Sequence, residues 1–318
     1  MNVVFTALDL GLIYGLMALG VYLTFRVLDF ADLTVDGSFT TGAAVSAVML
    51  TGGVNPWIAT ICGFLAGFAA GTVTGILNTK GQIHPLLAGI LTQIALYSIN
   101  LRIMGKANIP LLTTPTLLSP LNSAGLLRSW ASVGVFALAL AVVMLILNWF
   151  LSTEMGLAMR ATGDNENMAR AQGVNTDVSK VLGLALSNGL VGLSGSLLAQ
   201  YQGFADISMG IGLIVAGLAS VILGTALIGS PRVWVMTLAV VIGSVLYRAI
   251  IQAALQLPFF QANDMKLVSA LIVLAALLLP RWGLFSRIRA RRRERSLIAE
   301  PDIVPDLEEK DSTKAVGA

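Results

Sequence analysis

Polar side chains set inside long apolar runs are the places where this sequence could do chemistry. Gln93, Tyr97 and Asn100 lie at i, i+4 and i+7, so a helix would carry them on one face. Asn188 and Ser194 stand in a second apolar run, and Arg248 with Gln252 in a third. Such groups are costly against lipid and belong in a bundle interior or along a water-filled path. They serve either as hydrogen bonds between helices or as the lining of a solute route, with Gln93, Tyr97, Asn100 and Asn188 as the pathway candidates. Asp29, Asp32 and Asp36 stand near the end of a run, where burial is not needed, and their spacing builds no metal cage. His84 is the only histidine and, before Pro85, reads as a helix-entry residue; Cys62 is the only cysteine, so no disulfide or Cys-based metal site can form. No catalytic, cofactor-binding or metal site is expected.

The second chemical feature is one long polar interruption, 152–180, which carries Arg160, Arg170 and Lys180. Asp164 or Asn165 can cap a short helix through Ala171, and Gly173, Val174 and Asn175 can end it. A short amphipathic helix of this kind is what a soluble partner could grip.

The elements that must hold these residues are membrane spans. Of 318 residues, 56% are hydrophobic and 12% charged, and the mean hydropathy is +0.83, whereas about a quarter of a soluble domain is charged. The net charge of +3 does not describe a nucleic-acid surface. Its basic residues crowd into Arg287–Arg295 and are followed by the acids Glu300 to Asp311, which reads as a solvated tail past the last span. The first apolar stretch lacks a basic leader and a small-residue cleavage site, so it reads as an uncleaved span.

Stretches long enough for a bilayer run over 3–25, 37–50, 57–77, 85–104, 130–151, 181–201, 210–228, 233–255 and 267–279. These predict an all-α polytopic bundle of about nine crossings, with a transmembrane domain over 1–285 and a cytoplasmic basic-then-acidic tail over 286–318. The arginine cluster puts the C-terminus inside. Counting back places 152–180 and Lys80 inside, and the loop 105–129 and the N-terminus outside. Lys106, Arg128 and Lys266 break the charge bias. Gly63, Gly67, Gly71 and Gly75 recur every fourth residue, and Gly11 and Gly15 repeat the spacing, giving flat helix faces for close packing.

An internal repeat adds symmetry. Phe30-Ala31-Asp32-Leu33-Thr34-Val35 returns as Phe204-Ala205-Asp206-Ile207-Ser208-Met209, with three identities and three conservative exchanges. With the orientation above, the copies lie towards opposite membrane faces, as in an inverted-topology repeat framing a central pathway.

The pattern Gly156, Arg160-Ala161, Gly163, Asn165, Ala169, Gly173-Val174-Asn175 resembles the cytoplasmic coupling loop of ABC importer permeases of the branched-chain amino acid and ribose group. Two further stretches agree: Asp32 to Ser38 is similar to that group's Asp-Leu-Ser-Val-Gly-Ser segment, and Ala219 to Gly224 to its Ala-Val-Val-Leu-Gly-Gly helix. Asp36 and Thr225 stand where glycines are usual, which points to a divergent branch similar to the subgroup associated with tryptophan or tyrosine uptake. The resemblance covers about residues 5 to 283. It implies a permease subunit for a small polar solute such as an amino acid, acting as a homodimer in the lipid of a bacterial-type inner membrane. A cytoplasmic ABC ATPase, holding ATP and magnesium, would grip a coupling segment that includes Glu154, Gly156, Arg160, Ala161, Gly163, Asn165, Ala169 and Gly173. An extracytoplasmic binding protein would deliver the solute. No Gly-x-x-x-x-Gly-Lys-Ser/Thr phosphate loop occurs in the chain, in keeping with ATP being handled by the partner. A secondary transporter is the alternative, but it would need intramembrane carboxylates, of which Asp9 is the one early example. A membrane enzyme would need a convergent reactive cluster, and none is visible.

Overall fold

The computed structural model describes residues 2–228, 232–254 and the helical positions Leu267, Ala270, Leu271 and Leu274. Its helices are α1 (Asn2–Tyr22), α2 (Thr34–Thr51), α3 (Pro56–Thr79), α4 (Pro85–Met104), α5 (Ser119–Ser123) and α6 (Trp130–Leu151). They continue with α7 (Glu154–Asp164), α8 (Glu166–Ala171), α9 (Thr176–Gln202), α10 (Leu213–Leu227) and α11 (Val233–Ala254). Two short antiparallel strands, β1 (Asn108–Pro110) and β2 (Phe204–Asp206), join the exits of α4 and α9, a pairing not anticipated from the sequence.

Among the described residues, six helices are long and apolar enough to cross a membrane: α1 with its continuation to Val27, then α3, α4, α6, α9 and α11. The expected spans 37–50 and 210–228 correspond to α2, which is more polar, and α10, which is shorter. Most of the expected span 267–279, and the tail 286–318, lie outside the described residues. Trp57, Trp130, Trp149 and Trp234 are all exposed at helix ends, as amphipathic indoles are at both edges of a bilayer. Trp130 and Trp149, at the two ends of α6, are roughly 28 Å apart at 1.5 Å per residue, close to the ~30 Å hydrocarbon thickness.

Burial sorts the helices. In α9, 72% of the apolar window is covered and in α1 67%, whereas in α6 only 22% is, so α1 and α9 form the centre and α6 faces outward. The reason is side-chain size: α9 presents Gly183, Ser187, Gly192, Gly195 and Ser196 to its neighbours. The glycine row of α3 meets it as the spacing predicts, for a Cβ at Gly67 or Gly71 would strike the carbonyls of Asn188 or Leu184. The α2–α9 crossing is closer still, with Gly42 against the Gly192 backbone and Gly195 against the Phe39 carbonyl. Without a solvent-driven hydrophobic term, such contact is what holds helices together in lipid. Serine hydroxyls reinforce it across helices: Ser187 Oγ donates to Gly20 O (2.6 Å), Ser194 Oγ to Ile13 O (2.8 Å) and Ser196 Oγ to Gly42 O (2.9 Å).

Candidate functional site

The polar interruption folds as two helices. Thr153 caps α7, its hydroxyl accepting from Gly156 N (3.4 Å), and Asn165 ends α7 and caps α8 by accepting from Met168 N (2.9 Å). The sequence reading found α8 and its cap but not α7. Gly173 closes α8 with φ +85°, and Val174 N reaches back to Ala169 O (3.0 Å). That left-handed closure is what glycine does best after a helix. Arg170 then bridges Glu166 (3.2 Å), Thr176 (2.8 Å) and Asp177 (3.3 Å), while Lys180 reaches Glu166 (2.7 Å), so α8 is pinned to the start of α9.

The predicted coupling residues divide by face. Gly156 and Ala169 are buried, Arg160 and Gly163 half-buried, and Glu154, Ala161, Asn165 and Gly173 exposed; Met159 and Thr162, which are not among them, are buried with the first group. Gly156 lies on the backbone of Phe150 and Leu151. Gly163 lies on the carbonyl of Val27, at the end of a π-helical turn (Leu23–Val27) that continues α1. Met159 sits beside Gly183 of α9, which Leu28 also approaches. The opposite side of the segment leaves Met155, Leu157, Met168 and Val178 more than half exposed.

Past Val27 the chain enters the bundle. Asp32 is fully buried; its carboxylate accepts from Thr34 N (2.9 Å) and from Asn188 Nδ2 (2.7 Å). Asn188 spends its remaining capacity on Leu184 O (2.9 Å) and on the hydroxyl of Ser38, which donates to Oδ1 (2.7 Å). Thr34 and Thr74 share a hydrogen bond of 2.8 Å. Asn188 is twelve residues into α9, roughly 18 Å along its axis, so the break before α2 reaches far into the bundle. Asp36, also buried, accepts from Gly212 N (2.7 Å) and Ile214 N (2.8 Å) and so caps α10. These contacts overturn the expectation that Asp32 and Asp36 need no burial; it holds for the exposed Asp29. The physical reason is that the chain breaks inside the protein rather than at the lipid edge, and the freed backbone N–H groups need acceptors there. The repeated Phe-Ala-Asp was the signal, since an aspartate two residues before an unpaired N–H closes an Asx turn.

The second copy makes the same turn. Asp206 Oδ1 accepts from Ser208 N (2.8 Å). Burial acts to raise the pKa of Asp206, but the donations from Ser208 and Asn108 outweigh it and hold the carboxyl below its ordinary value.

The pathway candidates lie in different surroundings. Asn188 is sealed in the Asp32 cluster, while Tyr97 is half exposed on the outer face of α4. Asn100 is buried instead against α2, its Nδ2 3.4 Å from Gly37 O and its Oδ1 without a partner, and Gln93 is half-buried beside Gly37. The face of α4 that packs within the chain runs through Ala88, Gly89, Thr92, Leu96 and Asn100, and Tyr97 lies outside it. We expect Asn188→Ala, which takes a donor from Asp32 and an acceptor from Ser38, to cost about 1–3 kcal/mol, seen as a lower thermal midpoint of the detergent-solubilised protein.

A bundle of apolar helices with broken segments meeting inside it, and two short polar helices between two of its spans, defines a polytopic membrane protein. The chain matches the model of the branched-chain amino acid transport system permease component over residues 3–277 and belongs to that family. It is 42% identical over 280 residues to the tyrosine transport system permease protein of Clostridioides difficile, covering 87% of this chain and 91% of that one. An autoinducer 2 import system permease of Salmonella typhimurium is 28% identical over 70% of this chain and 62% of its own. The fold is shared with a metal-chelate type ABC transporter in an inward-facing conformation, at 18% identity and a TM-score of 0.51, covering 90% of this chain and 84% of that one. This is the permease component of an ABC transporter.

Proposed function

We propose that the chain forms the translocation route of an ATP-driven importer for an amino acid, aromatic by its likeness to the tyrosine permease. It works as two copies in the plasma membrane, with its N-terminus outside and C-terminus in the cytoplasm. A cytoplasmic ABC ATPase, loaded with ATP and magnesium, grips α7 and α8, and an extracytoplasmic binding protein presents the solute. The observation that carries this reading is the seating of Gly163 on Val27 O. A push on the exposed Met155, Leu157 and Met168 passes through that contact to the π turn of α1, then along 28–33 to Asp32 and the start of α2. A rigid backbone contact transmits displacement where a flexible side chain would absorb it.

The two halves are read as an inverted repeat. Both Asp32 and Asp206 close the same Asx turn before a broken helix. One separation, 174 residues, relates Phe30 to Phe204, Ile13 to Ser187 and Gly20 to Ser194. The bonds Ser187–Gly20 and Ser194–Ile13 are therefore mates under a twofold exchange of α1 with α9. Nine crossings complete the pattern when 267–279 is counted as the last.

Reconstitution tests the reading against an ion-coupled transporter, for which the buried Asp9, Asp32 and Asp36 now offer carboxylates. In proteoliposomes, tritiated L-tyrosine uptake should require ATP, the ATPase and the binding protein together. Uptake driven by a proton or sodium gradient without the ATPase would overturn it.

A further inference from the structure

Arg128 breaks the charge bias of the sequence and has no role in the coupling chain, yet the fold gives it a defined place. It sits at φ +60°, a left-handed conformation unusual for a side-chain-bearing residue. It lines a cavity of about 440 Å³ between the α4–α6 connection and the C-terminal end of α9. Asn122, Gln200, Tyr201 and Gln202 line it as well.

The walls are held from behind. Gln200 accepts from Leu117 N (3.0 Å) and donates to Thr60 Oγ1 (2.8 Å), which ties the overlying connection to α9 and α3. Tyr201 donates to the buried Asp9 Oδ2 (3.2 Å), and both lie close enough to Arg128 to feel its charge. Asp9 takes Ser132 Oγ as well (3.0 Å). Arg128 lies beside this fixed tyrosine and lines the cavity, and its guanidinium carries five donors. The same cavity is lined by the C-terminal end of α9, where the last carbonyls present the negative end of the helix dipole. A cation-seeking helix end beside a carboxylate-seeking arginine is complementary to a zwitterion, and the volume falls in the range of small-ligand sites.

We infer that this cavity is an entry-side binding site for a free amino acid, whose carboxylate pairs with Arg128 and whose ammonium faces the C-terminal end of α9. The site rests on the importer reading for its place in transport. It goes beyond that reading in naming where, and by which groups, the permease itself holds the solute.

Equilibrium binding of tritiated L-tyrosine, L-tryptophan and L-leucine to the purified full-length permease in nanodiscs tests it. Saturable binding of at least one is expected at millimolar concentration or below. Arg128→Gln should weaken it at least about tenfold, the usual cost of a hydrogen bond to a charged group. Asn122→Trp, which fills the cavity from an exposed position, should abolish it while leaving the thermal midpoint unchanged. Tyramine, lacking the carboxylate, should not compete. Absence of saturable binding, equal binding by both variants, or full competition by tyramine would each overturn the site. Assembled with ATPase and binding protein, the same variants separate the two proposals. Wild-type uptake with unaltered uptake by Arg128→Gln sinks the site and spares the importer; failure of ATP-dependent uptake by the wild type sinks the importer reading itself.

Discussion

Gly163→Ala is expected to leave a folded, membrane-inserted protein that no longer couples ATP hydrolysis to uptake. A single methyl at this position would fall on the carbonyl oxygen of Val27 and against Leu28 Cα. Backbone cannot swing aside as a flexible side chain can, so α7 must lift from the π turn or tilt. The hydrophobic anchor Met159, one turn earlier and fully buried beside Gly183, resists both. The displacement lands at a backbone joint between α7 and the broken segment leading to Asp32. Uptake should fall by at least about tenfold, equivalent to ~1.4 kcal/mol in a rate, and solute-stimulated ATPase activity should fall with it. Arg160→Ala, three residues earlier and close enough to act electrostatically on Tyr22 of α1, should act in the same direction. Size-exclusion profiles and thermal midpoints near those of the wild type would separate uncoupling from misfolding. Normal solute-stimulated hydrolysis with both residues changed would remove α7 from the coupling path.

Gly42→Leu should prevent the bundle from assembling at all. At Gly42 the α2 backbone meets the Gly192 backbone of α9 with no side chain between them, and Ser196 Oγ donates to the Gly42 carbonyl at the same crossing. A leucine there would force the two central helices apart. That would also pull Ser38 from Asn188 and Phe39 from Gly195. Ordinary overpacking costs about 1–3 kcal/mol; here the obstacle is main chain on both sides, so the penalty should exceed that range and yield aggregated protein after solubilisation. Gly134→Leu is the matched control, because a Cβ at Gly134 of α6 meets nothing within 4 Å. A monodisperse Gly42→Leu protein with an unchanged thermal midpoint would show that the crossing is looser than the contacts imply.

Much of this architecture is legible in the chain because lipid simplifies the reading. The apolar runs over 57–77, 85–104 and 130–151 became α3, α4 and α6 nearly residue for residue, since a span must satisfy its own backbone and helix is the simplest way to do so. The glycine row of α3 was equally readable, as was a cap at Asp164 or Asn165, which the structure assigns to Asn165. Less readable was anything depending on which way a helix turns. Tyr97 shares a helical face with Gln93 and Asn100 by spacing, yet in the fold the packed stripe is displaced by about one residue and Tyr97 points outward. In lipid an outward face is often as apolar as an inward one, so hydropathy carries little information about rotation.

The aspartates mark the division most clearly. By itself the sequence determined that this is a helical membrane protein, that one polar segment interrupts it, and that Phe-Ala-Asp occurs twice. Composition, run length and local turn chemistry suffice for those properties. Only the tertiary structure decided that the first Asp-bearing break lies inside the bundle and that Asp32 and Asn188, 156 residues apart, form one cluster. It also decided that Asp36 reaches across to cap α10 and that Gly163 rests on the end of α1. Those pairings depend on how closely glycine-lined backbones approach and on where broken helices leave N–H groups unpaired. Both are set by several helices at once rather than by any one stretch of chain.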